Sequence, residues 1–116
     1  MTNQELKNES EQQAADLLER LGMRILARNY RLRFGEIDLV AIDGDTLTFV
    51  EVKARTNNGM IDPFEAVDHA KQKKLRRLAA AFIALERPHF VDCRFDVVSV
   101  LKTDPPQPPQ HLIDAF

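Results

Sequence analysis

A pair of β-forming runs separated by a short turn signal constrains the fold of this chain more than any other feature. The runs Glu36 to Ile42 and Thr46 to Ala54 are rich in isoleucine, leucine, valine and threonine, and Asp43-Gly44-Asp45 lies between them. Aspartate and glycine between two such runs are typical of a tight turn. The sequence therefore predicts a β-hairpin, and the turn decides which side chains meet across it.

The register of this hairpin determines how four charged side chains are grouped. Alternate residues of a strand share a face, so Glu36 projects with Asp38, and Glu51 projects with its neighbour two residues on. If Gly44-Asp45 forms a two-residue type II′ loop, Asp38 lies opposite Glu51. The same register places Glu36 opposite Lys53. A loop shifted one residue earlier leaves Asp38 one diagonal step from Glu51, whereas a three-residue loop separates the four groups.

Predicted helices and strands flank the hairpin. Apolar residues at helical spacing predict an amphipathic helix from Gln4 to Leu21, and an alternation of apolar residues with arginines predicts a strand from Met23 to Tyr30. A helix is predicted from Asp62, an N-cap followed by proline, to about Glu86, with a break near His69 as an alternative. Cys93 to Leu101 is predicted to form the last strand.

The resulting element order is αβββαβ. Because a long helix precedes the last strand, that strand can return parallel to a hairpin strand, so the fold class is α/β with a mixed α+β sheet. With 116 residues, 44% of them apolar, the chain has the size and composition of one ordinary domain. We expect this domain to span residues 1–103, followed over residues 104–116 by a Pro-rich linker and an apolar tail. The tail, His111 to Phe116, is expected to dock back on the domain.

Cysteine usage and hydropathy exclude several classes of protein. Cys93 is the only cysteine, which excludes an internal disulfide and a cysteine-built zinc site. No apolar run approaches the roughly 20 residues of a membrane span. The polar start of the chain differs from a signal peptide. The expected location is therefore the cytoplasm, with no membrane partner.

Charges of one sign are grouped along the chain although the formal net charge is only -2. Arg20 to Arg33 contains arginines and no acid, and a second basic cluster extends from Lys71 to Arg77. Arginines beside a metal site can hold phosphates, whereas the helix cluster is also typical of a solvated helix face. The predicted nucleic-acid-binding residues are Arg24, Arg28, Arg31, Arg33, Arg55, Lys71 and Lys74.

A few other side chains have a structural interpretation, and two aromatic ones have a functional interpretation as well. Tyr30 and Phe34 either stack on a splayed base or pack within the fold. Arg94 and Asp96 are expected to form a buried pair that supports the sheet. The histidines lack a metal-ligand spacing, which favours surface or hydrogen-bonded core positions.

Two opposed carboxylates on an otherwise apolar sheet point to a cation. Asp38 and Glu51 would repel each other, and desolvation would add to the cost, unless a cation lay between them. Oxygen ligands without histidine or cysteine favour Mg²⁺ or Mn²⁺. Lys53 could then hold an attacking water or stabilise charge on a phosphate. The structural alternative is a set of exposed cross-strand contacts in which Glu36 forms an ion pair with Lys53. In the metal-site interpretation, Glu36 is one of the candidate catalytic residues.

The same residues carry a resemblance to a known family. An acid on one strand followed by acid-x-lysine on the next, inside an αβββαβ order, resembles the PD-(D/E)XK nuclease superfamily. The fuller pattern is similar to the small bacterial YraN family, from about Glu11 to Leu101. The motifs that carry it are Glu11-x-x-Ala14, Asn29-Tyr30-Arg31, Gly35-Glu36-Ile37-Asp38-Leu39-Val40-Ala41, Phe49-Val50-Glu51-Val52-Lys53-Ala54-Arg55 and Arg94-Phe95-Asp96-Val97-Val98.

The resemblance implies a restriction-endonuclease-like core, similar to archaeal Holliday-junction resolvases. It implies that Asp38, Glu51 and the carbonyl of Val52 bind the metal, and that Lys53 acts at the nucleophile. Glu11 corresponds to a helix acid that completes such sites. The sequence departs from the pattern in two places: an isoleucine precedes Asp38 where the superfamily name has proline, and a serine precedes Glu11 where the closer family has glycine.

These expectations define the function to be tested. The leading hypothesis is a nuclease that uses Mg²⁺ or Mn²⁺ to hydrolyse phosphodiester bonds in nucleic acid, in DNA rather than RNA, with branched or single-stranded DNA as the substrate. A homodimer is expected, because cutting two strands requires two sites. The alternatives are a non-catalytic nucleic-acid-binding or scaffolding module with the same fold, and an adaptor that uses the Pro-rich tail.

Overall fold

The computed structural model describes residues 2–55, 67–102 and 107–116, although not the side chain of Arg55. In chain order, the helices and strands of these residues are α1 (Asn3–Arg20), β1 (Arg24–Leu32), β2 (Gly35–Asp43), β3 (Thr46–Arg55), α2 (His69–Glu86), β4 (Asp92–Leu101) and β5 (Gln110–Leu112). This order confirms the predicted αβββαβ arrangement and adds a short strand at its end.

The five strands form one mixed sheet in the order β1-β2-β3-β4-β5. β1, β2 and β3 pair antiparallel through tight turns, and β4 pairs parallel with β3. The parallel return is confirmed, and it follows from the crossover through α2, since a parallel neighbour cannot be reached by a short turn. β5 then pairs antiparallel with β4.

The β2–β3 hairpin has the first of the two predicted two-residue registers. Asp43 pairs with Thr46, and the pairing continues to Leu39 opposite Val50. The loop is therefore Gly44-Asp45, and Gly44 has a φ of 60°. A positive φ at the first loop residue is the requirement of a type II′ turn, which glycine meets without strain.

The two helices cover opposite faces of the sheet. Ala14 and Leu18 of α1 pack with one set of buried strand residues, which includes Val50 and Val98. Leu78 and Phe82 of α2 pack with the alternate set, which includes Phe49 and Val97. Because successive strand residues point to opposite faces, these adjacent pairs supply two cores separated by the sheet.

A capping side chain precedes each of the two described helices. α1 begins after Thr2, whose side chain accepts a hydrogen bond from the Glu5 amide at 3.1 Å. The predicted helix start at Asp62 lies outside the described residues; α2 begins after Asp68, which caps it through the Lys71 amide at 2.8 Å. Neither described helix has the length of apolar sequence that crossing a bilayer requires.

The C-terminal tail packs against the sheet, as expected. The amide of Ala115 donates to the carbonyl of Phe95 at 2.7 Å, and Ala115 itself is buried. Phe116 stacks on Phe95 with ring centroids 5.1 Å apart. The tail therefore completes the core on the side of α2.

A buried carboxylate holds this tail in place. Asp96 is fully buried and accepts hydrogen bonds from Arg94 at 3.0 Å and from the Asp114 amide at 3.0 Å, and its other oxygen lies 2.7 Å from His111 Nε2. Burial alone would raise the pKa of Asp96, but the hydrogen bonds from His111, Arg94 and the Asp114 amide together lower it. The expected Arg94–Asp96 pair is confirmed within β4, and Asp96 connects β4 to β5 through His111.

Candidate functional site

The candidate site begins where the pairing between β2 and β3 ends. Leu39 and Val50 are the last pair of the hairpin, and Asp38 lies one residue beyond them. There the Val52 amide donates to Asp38 Oδ2 at 2.8 Å, so the carboxylate takes the place of a backbone acceptor. Asp38 is thereby fixed at the end of the paired ladder, and within residues 2–55, 67–102 and 107–116 its second oxygen accepts no hydrogen bond.

A cleft of about 420 Å³ opens at this point, between the sheet and α2. Three acids and three lysines line it: Glu36, Asp38, Glu51, Lys7, Lys71 and Lys74. Backbone and apolar groups of Gly35, Val52, Ala54, Leu75 and Leu78 form the rest of its wall. The cleft thus combines carboxylate oxygens, which could hold a metal ion, with ammonium groups that suit an anion.

Three carboxylates from two elements converge beside the cleft. Glu11 of α1 and both Glu36 and Asp38 of β2 each offer an oxygen within 4.8 Å of the others. Glu11 and Asp38 are each 7% exposed. Buried acids this close repel one another unless cations or protons balance them.

Of these three acids, Asp38 has the most strongly raised pKa. Burial raises its pKa, the nearby Glu51 carboxylate raises it further, and the Val52 amide only partly opposes them, so that the pKa of Asp38 reaches about 7. A divalent cation would remove both causes, because it replaces the lost hydration and neutralises the neighbouring acid.

Glu11 offers a second unsatisfied oxygen. Its Oε1 is buried and has no hydrogen-bond partner among the described residues. Burial raises the pKa of Glu11, against the opposing effects of the Asn29 side chain and the Lys7 ammonium. A buried carboxylate oxygen without a donor is costly, and a bound cation would satisfy it. The donor set therefore fits a hard divalent ion such as Mg²⁺ or Mn²⁺.

Glu36 has different partners from those the strand register suggested. Lys7 donates to its Oε1, and Arg31 Nε lies 3.0 Å from its Oε2. The hydrogen bond from Lys7 is the main cause that lowers the pKa of Glu36. The suggested partner Lys53 is therefore replaced by cations from α1 and β1, which reach Glu36 because regular pairing with β3 has already stopped.

Glu51 is flanked by two lysines. Lys71 Nζ lies 3.3 Å and Lys53 Nζ 3.6 Å from Glu51 Oε1. Lys53 is not among the cleft-lining residues, so its ammonium reaches the site through Glu51. The Val52 carbonyl remains a predicted ligand, since the described contact of Val52 with the site is through its amide.

Three of the predicted arginines, Arg24, Arg28 and Arg31, lie on the edge strand β1, whereas Arg33 lies in the turn after it and Arg55 ends β3. Arg28 donates to Gln12 at 2.9 Å and lies 3.7 Å from Glu19, beside a second cavity of about 180 Å³ that Glu11 also lines. Arg31 forms an ion pair with Glu36. Arg24 and Arg33 are exposed, and the side chain of Arg55 is outside the described residues.

Sequence reasoning missed Lys7, which lies among the converging acids. Its ammonium is 3.8 Å from Glu11 Oε1, besides its contact with Glu36. The signal was present: Lys7 is the lone cation of an acidic segment, four residues before Glu11, and such pairs face each other on a helix. Asn29, which has a φ of 49°, was identified only as part of a motif. Its side chain forms a hydrogen bond with Glu11 that lowers the pKa of Glu11.

Gly35 allows Lys74 to reach the cleft. A Cβ at Gly35 would lie 2.8 Å from Lys74 Cε and 3.3 Å from Leu78 Cδ1. The φ of +154° at Gly35 is also one that other residues rarely adopt. The missing side chain therefore lets the Lys74 stem cross the edge of β2 at the mouth of the cleft.

Comparison with known proteins places the chain in a family. Residues 10–100 match the model of "Uncharacterised protein family UPF0102". A UPF0102 protein of Rhodococcus opacus (strain B4) is 45% identical over 104 residues, which cover 89% of this chain and 88% of that protein. One from Dictyoglomus thermophilum is 38% identical over 118 aligned positions and covers 100% of both chains. A third, from Chlorobium chlorochromatii, is 49% identical over 96 residues, covering 83% of this chain and 74% of its own. The chain therefore belongs to the UPF0102 family.

Proposed function

We propose that this protein is a metal-dependent nuclease that hydrolyses phosphodiester bonds in DNA. The observation that carries the proposal is Asp38: a buried carboxylate of raised pKa, within 4.8 Å of carboxylates from Glu11 and Glu36, at the edge of an open cleft. Such an arrangement costs stability and has no structural benefit of its own, which favours a functional reason for retaining it.

The proposed metal ligands are Asp38, Glu11, Glu51 and the carbonyl of Val52. All are oxygen donors, which Mg²⁺ and Mn²⁺ prefer. When bound, such an ion supplies Lewis-acid activation of a phosphate and of a water molecule. Its charge would also relieve the repulsion between Asp38 and Glu51 that raises the Asp38 pKa.

The lysines of the cleft supply the complementary charge. Lys71 and Lys74 line the cleft from α2 and can hold phosphates next to the bond to be cut. Lys53, held near Glu51, is suited to stabilise negative charge that develops during attack on the phosphate. Glu36 keeps Lys7 and Arg31 in place at the edge of the site.

The resemblance to the PD-(D/E)XK superfamily and its YraN branch supports the same assignment. The acid of β2 and the acid-x-lysine of β3 stand in the order of that motif, and the mixed sheet has the expected αβββαβ order. Glu11 comes from the first helix, in agreement with the role that the resemblance implies. We extend the proposal to this superfamily on the strength of these three features.

A cleavage panel tests the proposal. Duplex, single-stranded, flap and four-way-junction DNA are incubated with Mg²⁺ or Mn²⁺ and the wild type, Asp38→Asn or Asp92→Asn. Asp92 is an exposed acid on β4 outside the cleft lining, so its variant is the matched control. We expect the wild type and the control to cut at least one substrate, and Asp38→Asn to cut none. Metal-independent DNA binding without cleavage of any substrate would favour the non-catalytic module instead.

A further inference from the structure

An exposed aromatic ring lies beside Gly35, one of the residues that line the cleft. Leu32 pairs with Gly35 at the end of the β1–β2 hairpin, so Arg33 and Phe34 are the two residues of the turn. Phe34 is 37% exposed. Turns favour glycine, asparagine, aspartate and proline for reasons of backbone geometry, and none of these reasons applies to phenylalanine. The ring therefore occupies an exposed position without a conformational requirement for it.

A cation from α2 holds this ring. The Arg77 guanidinium carbon lies 4.8 Å from the Phe34 ring centroid, within the range of a cation–π contact. Arg77 is itself exposed. The guanidinium thus lies over one face of the ring, and both groups are partly open to solvent. Phe34 is next in sequence to Gly35, which lines the cleft.

The same side of α2 carries positive charge from the candidate site to this surface. Lys71, Lys74 and Arg77 follow one another at intervals of three residues, so they occupy neighbouring positions on the helix. Lys71 lies 3.3 Å from Glu51, Lys74 crosses Gly35, and Arg77 contacts Phe34. The row spans about 9 Å along the helix axis, from the acids to the ring.

We propose that Phe34 and Arg77 form a stacking platform for an unpaired nucleobase, and that Lys71 and Lys74 hold the phosphates between this base and the candidate metal site. The inference rests on the proposed function, which it deepens by naming the substrate class: DNA with a single-stranded segment beside the bond to be cut. Stacking on aromatic side chains combined with backbone contacts to basic residues is how single strands are bound without sequence preference.

The geometry favours a single strand over a duplex. Every base of a duplex is stacked between its neighbours, so its face is available to a protein ring only after it has left the stack. A free single strand offers such faces at no unpairing cost. The platform is therefore expected to distinguish substrates by strand state and to be indifferent to base identity.

Binding measurements in EDTA test the platform without requiring cleavage. The probe is a labelled single strand of about 12 nucleotides, titrated with wild type, Phe34→Leu, Phe34→Trp and Phe90→Leu. Phe90 is 36% exposed and does not line the cleft, which makes it a matched control. We expect Phe34→Leu to weaken binding about 5-fold or more, and Phe34→Trp and Phe90→Leu to bind like the wild type.

An abasic probe identifies the group that the ring contacts. The same strand with every base removed retains its phosphates, so the wild type and Phe34→Leu should bind it equally. Equal affinity of the two proteins for the normal strand, or an equal loss with Phe34→Leu on both strands, would overturn the platform.

Failure of the stacking platform can be distinguished from failure of the proposed nuclease function. If Phe34→Leu cleaves and binds single strands like the wild type while Asp38→Asn is inactive, the nuclease assignment stands and the platform is wrong. If Phe34→Leu loses affinity only for base-bearing strands while no substrate is cleaved, the platform stands and the nuclease assignment is wrong.

Discussion

At the scale of single residues, the site is defined by carboxylates whose charges the fold leaves incompletely balanced. Glu51 has two lysines nearby, and Glu36 has Lys7 and Arg31. Among the described residues, Asp38 accepts one hydrogen bond, from the Val52 amide, and Glu11 Oε1 accepts none, with the Lys7 ammonium 3.8 Å away. The two acids with the fewest donors are thus the most buried members of the converging cluster.

The raised pKa of Asp38 predicts a pH-dependent loss of stability in the metal-free protein. A folded-state pKa of about 7, above the ordinary value of 3.8, means that the folded state holds its proton more tightly than the unfolded state. The stability that this provides is complete below about pH 4 and is lost as the pH rises toward 7. Relative to Asp38→Asn, the wild type should lose up to about 4 kcal/mol over this range.

Urea denaturation in EDTA at several pH values measures this difference. Asp38→Asn cannot ionise, so its free energy of unfolding lacks the contribution of this group. Curves for the two proteins that stay parallel from pH 4 to 7 would show that Asp38 is not an unbalanced buried acid.

Substitution of Lys53 and substitution of the acids are expected to impair cleavage for different reasons. Lys53 is positively charged and lies near Glu51, so Lys53→Met should leave Mn²⁺ affinity unchanged or slightly higher. It removes a donor that acts in the transition state, which costs about a hundredfold or more in rate. Single-turnover cleavage combined with a metal titration separates the two effects. Wild-type cleavage by Lys53→Met would reduce Lys53 to a structural partner of Glu51.

At the scale of elements, sequence reasoning succeeded where local chemistry decides the structure. Asp43-Gly44-Asp45 predicted the hairpin because a type II′ turn requires glycine at its first position, and Gly44 has the required positive φ. β5 was not predicted as a strand because three residues carry no periodicity. Its position depends on Asp96, which is distant in sequence and accepts from both His111 and the Asp114 amide.

The position of β5 is therefore expected to depend on Asp96. Asp96→Ala removes one of the two carboxylates that pair with Arg94, the other being Asp43, and leaves the Asp114 amide without its acceptor. The free energy of unfolding should therefore fall by about 1 to 3 kcal/mol. Asp92→Ala, an exposed change on the same strand, should stay within about 0.5 kcal/mol of the wild type. Denaturation midpoints measure both, and equal midpoints would show that Asp96 does not hold the tail.

The contacts of the site could be predicted only in part, because they depend on how elements converge. Asp38 and Glu51 were paired by register alone, since both lie on one hairpin. The approach of Lys7 and Lys74 depends on where α1 and α2 cross the sheet and on the space at Gly35. Strand periodicity could not show that regular pairing stops at Leu39, which gave Glu36 its partners from other elements.

At the scale of the whole molecule, positive charge is divided between two surfaces. The net charge is only -2, yet the cleft gathers lysines from two helices, whereas Arg24, Arg28 and Arg31 lie along the edge strand β1. The sequence favoured the arginines as the DNA-binding groups. In the structure, Lys74 lines the cleft, whereas Arg31 forms an ion pair with Glu36. We therefore expect the DNA-binding surface to lie nearer α2 than β1.

The salt dependence of DNA binding ranks the two surfaces. Loss of one phosphate contact lowers the slope of affinity against salt by about one. We expect this change with Lys74→Gln and a smaller one with Arg31→Gln, measured by fluorescence anisotropy in EDTA. A larger change with Arg31→Gln than with Lys74→Gln would indicate that DNA binds along β1 instead.

The central claim is that the carboxylates around Asp38 form a divalent-metal site. Calorimetric titration of the metal-free protein with Mn²⁺ tests it most directly, with Asp38→Asn and the surface variant Asp92→Asn beside the wild type. The account predicts saturable binding by the wild type and by Asp92→Asn, together with release of protons near pH 7 from Asp38. It predicts much weaker binding by Asp38→Asn. Equal binding by all three proteins, or no binding by the wild type, would contradict it.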